Sequence, residues 1–322
     1  MSARAIGLAR RRSAIERSLG EGVAAALARP DVVEAMINAD GSLWLDTVGE
    51  GLTPTGLTLT AHDREAAIRL LAHEAGETVG EDRPTLATIL PDTAARVQAV
   101  LPPLSAAPII VIRKRPSVIF RLEDYVASGI ATAAQAERLK AAVRDRRNIV
   151  VAGGTGSGKT TLLNALLAER AFAEARVVIL EDTAELQCVS ANVVQLLTKR
   201  TAPIVSMRDL VQTTLRLRPD RVVVGEVRDG AALEVLKAWN TGHPGGLLTL
   251  HANSAADALI RLEDLCLETS AASPKRLIAS AVDLVVFITR REGGRVLTDI
   301  VSVNGLRGEN YVLEQEHAAP DQ

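Results

Sequence analysis

The chain has 322 residues, 47% of them hydrophobic, with a formal charge of −2. That length allows two domains with substantial cores, and the near-neutral balance excludes a global field that would draw the chain to nucleic acid. With aromatics at 2% a base-stacking single-strand binder is excluded too, and no apolar run approaches the length of a bilayer span.

The first residues, MSARAIGLARRR, are basic but lack the apolar stretch of a signal peptide. Arg10, Arg11 and Arg12 read as a solvated start, with contact to anionic lipid as the lesser reading. A helix is expected over 13–28, from the spacing of Ile15, Leu19, Val23 and Leu27. A hairpin over 32–46 should turn at Asn38-Ala39-Asp40-Gly41. A strand at 57–60, a helix at 63–75, and strands at 97–101 and 109–112 complete an α+β segment without a chemical constellation.

Residues 113–124, RKRPSVIFRLED, read as a basic connector interrupted by Pro116. Beyond it the pattern alternates: helix 131–145, strand 148–152, helix 159–168, strand 176–181, helix 207–217, strand 221–225, helix 230–240, strand 247–251 and helix 254–266. Apolar strands alternating with helices imply an α/β unit whose parallel sheet is covered on both faces. Two tail strands, 282–289 and 295–303, should form a hairpin around Gly293-Gly294. The expected organisation is an N-terminal α+β domain (1–112), the connector (113–124) and an α/β domain (125–322). Cys188 and Cys266 stand alone, spell neither a disulfide framework nor a metal site, and fit a reducing cytoplasm.

The most specific signal is NIVVAGGTGSGKTT at 148–161. Gly153, Gly158, Lys159 and Thr160 fill the G-x-x-x-x-G-K-[ST] spacing between an apolar strand and a helix. Gly153, Gly154, Thr155, Gly156, Ser157 and Gly158 would wrap backbone N–H groups around a phosphate, because glycine leaves no Cβ in the curl. The helix starting at Lys159, Thr160 and Thr161 would add its positive end. Lys159 would reach the β- and γ-phosphates of a bound nucleotide, and the Thr160 hydroxyl would hold Mg²⁺.

Phosphoryl transfer also needs acids near metal and water. Glu181, Asp182 and Glu185 follow one strand and Glu226 follows another, at the carboxyl ends where open parallel sheets bind ligands. Glu226 is expected to orient or deprotonate water, with Glu181, Asp182 and Glu185 tuning Mg²⁺ partly through its water shell. The run TGHPGGLLTLHAN at 241–253 places His251 at a strand end facing the γ-phosphate and His243 beside the same strand, with Pro244-Gly245-Gly246 as a possible switch. Arg113, Lys114, Arg115 and Arg121 could neutralise charge on a transferring phosphoryl group. Arg216, Arg218, Arg221 and Arg228 could pair with the acids or line a subunit boundary.

GGTGSGKTT, ILEDTAEL, RLRPDRVVVGEVRDGAALEVLKAWNTGHPGG and TLHAN occur in the order found in the secretion-ATPase superfamily. EVLKAWNTGHPGG, with IRK upstream, most resembles the TrbB family of conjugal-transfer ATPases of type IV secretion systems. The match is strong over 108–266 and weaker at VVEAMINADGSLWLD. This resemblance implies a RecA-like ATPase domain joined to a smaller α+β domain. It implies a homohexamer, cytoplasmic and peripheral at the inner membrane, that hydrolyses ATP with Mg²⁺ to drive pilus assembly and substrate transfer. Its partners would be inner-membrane components of the secretion system, with no direct sequence-specific nucleic-acid binding. It assigns Glu185 to an acidic box, Glu226 to the Walker B position, and His243 and His251 to a histidine box. It also assigns a nucleotide-contacting arginine near IRK. The family's proline after IRK falls one position later here, at Pro116, which leaves Arg113 and Arg115 both open for that role. A type II secretion or type IV pilus ATPase, and a nucleotide-gated scaffold with little turnover, are the alternatives.

Overall fold

The computed structural model describes residues 17–47, 50–90, 95–114, 119–199, 202–291 and 294–318. Arg10, Arg11, Arg12, Arg115, Pro116 and Gly293 lie outside them. The chain divides into two compact units, Met1–Ser117 and Val118–Gln322.

The first unit carries α1 (Glu21–Ala28), β1 (Val32–Ile37), β2 (Ser42–Thr47), β3 (Gly51–Thr58), α2 (Ala61–Glu74), β4 (Thr85–Ile89), β5 (Arg96–Val100) and β6 (Ile109–Arg113). Its strands form one antiparallel sheet in the order β3-β2-β1-β6-β5-β4. The expected hairpin is present. The Gly41 amide donates to the Asn38 carbonyl, and Gly41 takes the positive φ of +89° that this turn needs. Alternate residues Ala35, Ile37, Leu43, Leu45, Ile110 and Ile112 point into one core with Ile68 and Leu71 of α2. The Thr60 side chain caps α2 by accepting from the Asp63 amide. Buried Arg64 ties the hairpin turn to its surroundings by donating to the carbonyls of Asn38, Ala39 and Pro108. The strand expected at 57–60 is only the end of β3.

The second unit carries α3 (Leu122–Ala127), α4 (Ala133–Arg144), β7 (Ile149–Gly153), α5 (Lys159–Leu167), β8 (Val177–Glu181), β9 (Val193–Leu197), α6 (Met207–Thr214) and β10 (Arg221–Val224). It continues through α7 (Ala231–Asn240), β11 (Leu247–His251), α8 (Ala255–Leu267), α9 (Lys275–Ala281), β12 (Leu284–Arg291), β13 (Gly294–Arg307) and β14 (Asn310–Ala318). The sheet order is β9-β8-β10-β11-β7-β12-β13-β14. The pairs from β9 to β12 are parallel, and β13 and β14 add antiparallel strands.

Strand period two divides the core. Ile149 and Val151 face Leu162 and Leu163 of α5, whereas Val150 and Ala152 belong with Leu236 of α7 and Leu259 of α8. Both faces are therefore apolar and covered, which explains why the strands read as continuous hydrophobic runs. β7 lies inside the sheet between β11 and β12, so the segment that leaves its carboxyl end has neighbours on both sides.

The amino edge of this sheet is pinned by one side chain. Asn148 Oδ1 accepts from the amides of Gly245 and Gly246, its Nδ2 donates to the Ala281 carbonyl, and its amide donates to Asp283. A Cβ at Gly246 would lie 1.9 Å from Trp239 Nε1. Pro244-Gly245-Gly246 is thus a clamped turn under the Trp239 indole, which departs from the switch expected of it.

Candidate functional site

Gly153 ends β7 and lies in register with His251, the last residue of β11. A Cβ at Gly153 would lie 2.2 Å from the Ile288 carbonyl oxygen of β12, so the backbone approach requires glycine. Gly156 and Gly158 take φ of +71° and +100°, and Gly158 directly precedes the first turn of α5. The sequence 154–158 therefore curls at the carboxyl edge and feeds its amides towards a helix N-terminus. Within the curl, Ser157 is 3% exposed and its Oγ has no hydrogen-bond partner among the described residues. Lys159 is buried at the loop's centre, where Nζ donates to the carbonyls of Gly153 (2.9 Å) and Gly154 (2.7 Å). Thr160 and Thr161 follow in the first turn of α5, both half-buried. Thr155 is exposed on the loop.

A polar chain runs from this lysine across the neighbouring strands. His251 Nδ1 lies 3.3 Å from Lys159 Nζ, and His251 Nε2 lies 2.7 Å from Glu226 Oε1. An ammonium only donates, so Nδ1 accepts and the ring proton belongs on Nε2. Burial first, and Lys159 second, hold the His251 pKa below its ordinary value, against the pull of Glu226. The imidazole is therefore a neutral link between lysine and carboxylate.

The two oxygens of Glu226 differ. Oε2 accepts from Nε and Nη2 of Arg228. Oε1 lies at ion-pair distance from His251 but off the hydrogen-bond line, and among the described residues it is buried without a hydrogen-bond donor. Arg228 also approaches Asp182 Oδ2 at 3.9 Å, and Asp182 Oδ1 accepts from the Thr198 hydroxyl. One carboxylate oxygen of Glu226 is thus clamped by Arg228, and the other is buried beside His251 without a hydrogen-bond donor among the described residues.

The remaining expected residues separate. Glu181 is buried at 2% exposure, and its Oε1 accepts from the amides of Glu185 and Leu186 at 2.8 Å each. It shapes the loop that carries Glu185 and Asp182, and a Cβ at Gly225 would meet its side chain at 3.0 Å. Glu185 is half-buried on the same loop, and its carbonyl accepts from Asn164 of α5.

His243 is not brought to the loop within this chain. It precedes β11, beside the amino ends of the strands, and its Nδ1 pairs with the Pro219 carbonyl at 3.1 Å. The five residues of β11 span about 15 Å and carry His251 to the opposite edge. Arg221 likewise sits at the amino edge, stacked 4.4 Å over Phe172, donating to carbonyls of Val143 and Ala171, with its pKa pushed down to about 10 by burial. Arg113 closes β6 in the first unit, exposed and in register between Glu34 and Arg96.

The described residues form no group of three or more His, Cys, Asp or Glu able to hold a metal ion alone. Magnesium bound together with phosphate oxygens needs only one or two protein oxygens, often through water. The Thr160 hydroxyl at the start of α5 and Asp182 fit that requirement, and the buried, partnerless Ser157 Oγ fits a loop built around a polar ligand.

A parallel core sheet with a glycine-curled loop after an interior strand, and an acid and a histidine on the strands beside it, define a RecA-like unit joined to an α+β unit. The chain belongs to the family described as type II/IV secretion system protein, whose model matches residues 81–294. It is similar to the conjugal transfer protein TrbB of Rhizobium radiobacter, 45% identical over 302 residues that cover 93% of this chain and 92% of that protein. It is also similar to the type IV secretion system protein PtlH of Bordetella pertussis, 33% identical over 86% of this chain and 91% of that protein. Among solved structures, the ATPase DotB of Legionella pneumophila shares the fold, with a TM-score of 0.61 at 21% identity, covering 85% of this chain and 77% of that one.

Proposed function

We propose that this chain is an ATP-hydrolysing motor of a conjugative type IV secretion system. In this reading it works as a homohexamer, cytoplasmic and peripheral at the inner membrane, against membrane components of that system. The family membership and the similarity to a conjugal transfer protein support the setting. No described helix is long and apolar enough to cross a membrane. The observation that carries the chemistry is the line Lys159–His251–Glu226, which joins the phosphate loop to a carboxylate with one oxygen clamped and one without a donor.

In the proposed reaction the amides of the loop from Gly154 to Thr161 hold the phosphates of ATP, with Gly153 and Gly158 permitting the curl. Lys159, held over the loop by its carbonyls, offsets the charge of the β- and γ-phosphates. Water attacks the γ-phosphorus as Glu226 Oε1 takes its proton, and the bond to the bridging oxygen breaks to give ADP and phosphate. Neutral His251 borders the carboxylate, its Nε2 2.7 Å from Oε1 but off the hydrogen-bond line. Arg228 fixes the other oxygen. Magnesium, held by Thr160 and through water by Asp182, would supply charge neutralisation on the phosphates. Glu185 shares that acidic surface. Arg113 and Arg115 are both proposed as phosphate-contacting arginines, and single alanine variants test each.

The test is steady-state ATP turnover by the purified protein, with its mass measured with and without ATP. The reading expects six-fold assembly, turnover by the parent, and nucleotide binding without turnover by Glu226→Gln. A parent protein that binds ATP and never turns it over would instead support an assembly scaffold.

A further inference from the structure

The sheet places a second structure against the phosphate loop, on the side away from Glu226. β12 pairs with β7 in parallel and runs on past it, then returns as β13. At the tip of this hairpin Arg290 stands directly opposite Arg295, and Arg291 opposite Gly294. Period two puts Arg290 and Arg295 on the face of Ile288 and Leu297, which are core neighbours of Leu162 and Leu163. The arginine pair therefore continues the α5 face of the sheet beyond its apolar core.

Arg295 reaches the loop itself. A Cβ at Gly158 would lie 2.9 Å from Arg295 Cδ and 3.3 Å from its Nε, so the arginine stem lies against the loop at the start of α5. The base of the hairpin is fixed. The Leu297 amide donates to the Ile130 carbonyl, and Gln135 Nε2 donates to the Leu297 carbonyl. A β-bulge between Phe287 and Ile288, level with Ala152 of β7, re-aims the strands just before the tip.

Like charges directly opposite on a sheet are unfavourable unless something offsets them. Among the described residues no carboxylate lies within ion-pair distance of Arg290, Arg291 or Arg295. The reacting end of a nucleotide must sit on the β11 side, beside His251 and Glu226. From there a triphosphate that crosses the loop carries its nucleoside end towards the β12 side, where Arg295 lies against Gly158.

We infer that Arg295, supported by Arg290, forms the wall on which the nucleoside ring system of the bound nucleotide stacks. A planar guanidinium stacks on a base face and favours its π electrons, whereas its stem here packs on Gly158. This rests on the ATP reading above and adds the contact that distinguishes a nucleotide from bare polyphosphate.

The experiment measures the affinity of the full chain for ADP and for inorganic tripolyphosphate, both with magnesium. Arg295→Met keeps the stem and removes the guanidinium, and Arg295→Ala removes both. Both variants should bind ADP about tenfold more weakly and tripolyphosphate within about twofold of the parent. A thermal midpoint equal to the parent's shows that the hairpin still folds, and Arg290→Met provides an independent variant. Unchanged ADP affinity, or equal loss for both ligands, overturns the inference alone. A parent protein that binds neither ligand overturns the nucleotide reading and this inference with it.

Discussion

His251 Nδ1 lies 3.3 Å from Lys159 Nζ, which makes a strand-end imidazole the direct neighbour of the phosphate-loop ammonium. The pairing fixes a tautomer, and through Nε2 it extends to Glu226. Loop and carboxylate therefore respond to one another's charge through a single ring.

The first consequence is a pH dependence. Burial and Lys159 depress the His251 pKa in the folded chain, so an unfolded chain binds this proton more readily. The contribution of His251 to stability is complete above the unfolded value, about 6.5, and is lost as pH falls through the lower folded value. The parent's thermal midpoint should therefore drop more than that of His251→Gln between about pH 7.5 and pH 5.5. Calorimetry of the two proteins checks this, and equal slopes would remove the argument.

Lys159→Ala removes the ammonium that holds the Gly153 and Gly154 carbonyls and would face phosphate. ATP turnover should fall by about 100-fold or more, since a positioned donor to a reacting phosphoryl group contributes on that scale. Secondary structure should persist, because the strands and α5 are held by apolar contacts on both faces. Circular dichroism beside a phosphate-release assay separates the two. Parent-rate hydrolysis by this variant would falsify the mechanism.

Arg228 and Glu226 make a distinct pair of tests. Glu226→Gln should retain nucleotide affinity and lose turnover by about 100-fold or more, as expected when the proton acceptor is removed. Arg228→Ala leaves the acceptor but frees Oε2, so turnover should fall by about tenfold with affinity nearly unchanged. Arg228→Lys should recover only part, because an ammonium does not reproduce the two guanidinium contacts onto one oxygen. A change in affinity alone would assign Arg228 to binding.

The phosphate loop was legible because its chemistry is local: glycine positions, lysine and threonine lie within nine residues, and the flanking strand and helix are contiguous with them. Glu226 and His251 were legible as strand-end residues. Glu181 was not, since only packing shows that its carboxylate turns back to the amides of Glu185 and Leu186. The histidine run spans a whole strand, so His243 and His251 lie at opposite edges of the sheet. Arg295 carries no motif, and its place beside Gly158 follows from the sheet order, which joins β12 to β7. β14 was missed because this edge strand carries Asn310, Glu314, Gln315 and Glu316 in place of an apolar run, whereas β9 is a short, only partly buried edge strand.

The amino edge supplies the last test, because it separates holding the sheet from acting on phosphate. Asn148 satisfies the amides of Gly245 and Gly246 with one oxygen and reaches Ala281 with its nitrogen. Asn148→Ala leaves two buried amides and one carbonyl unpartnered, and should cost about 3 kcal/mol or more. Gly246→Ala forces a methyl against the Trp239 indole and should cost about 1–3 kcal/mol. Denaturant unfolding measures both. Since these residues lie at the opposite strand ends from Lys159, each variant should keep parental turnover per folded molecule. Loss of turnover in a fully folded Asn148→Ala protein would mean that the clamped turn couples to the loop through β7, and the separation of the two edges would fail.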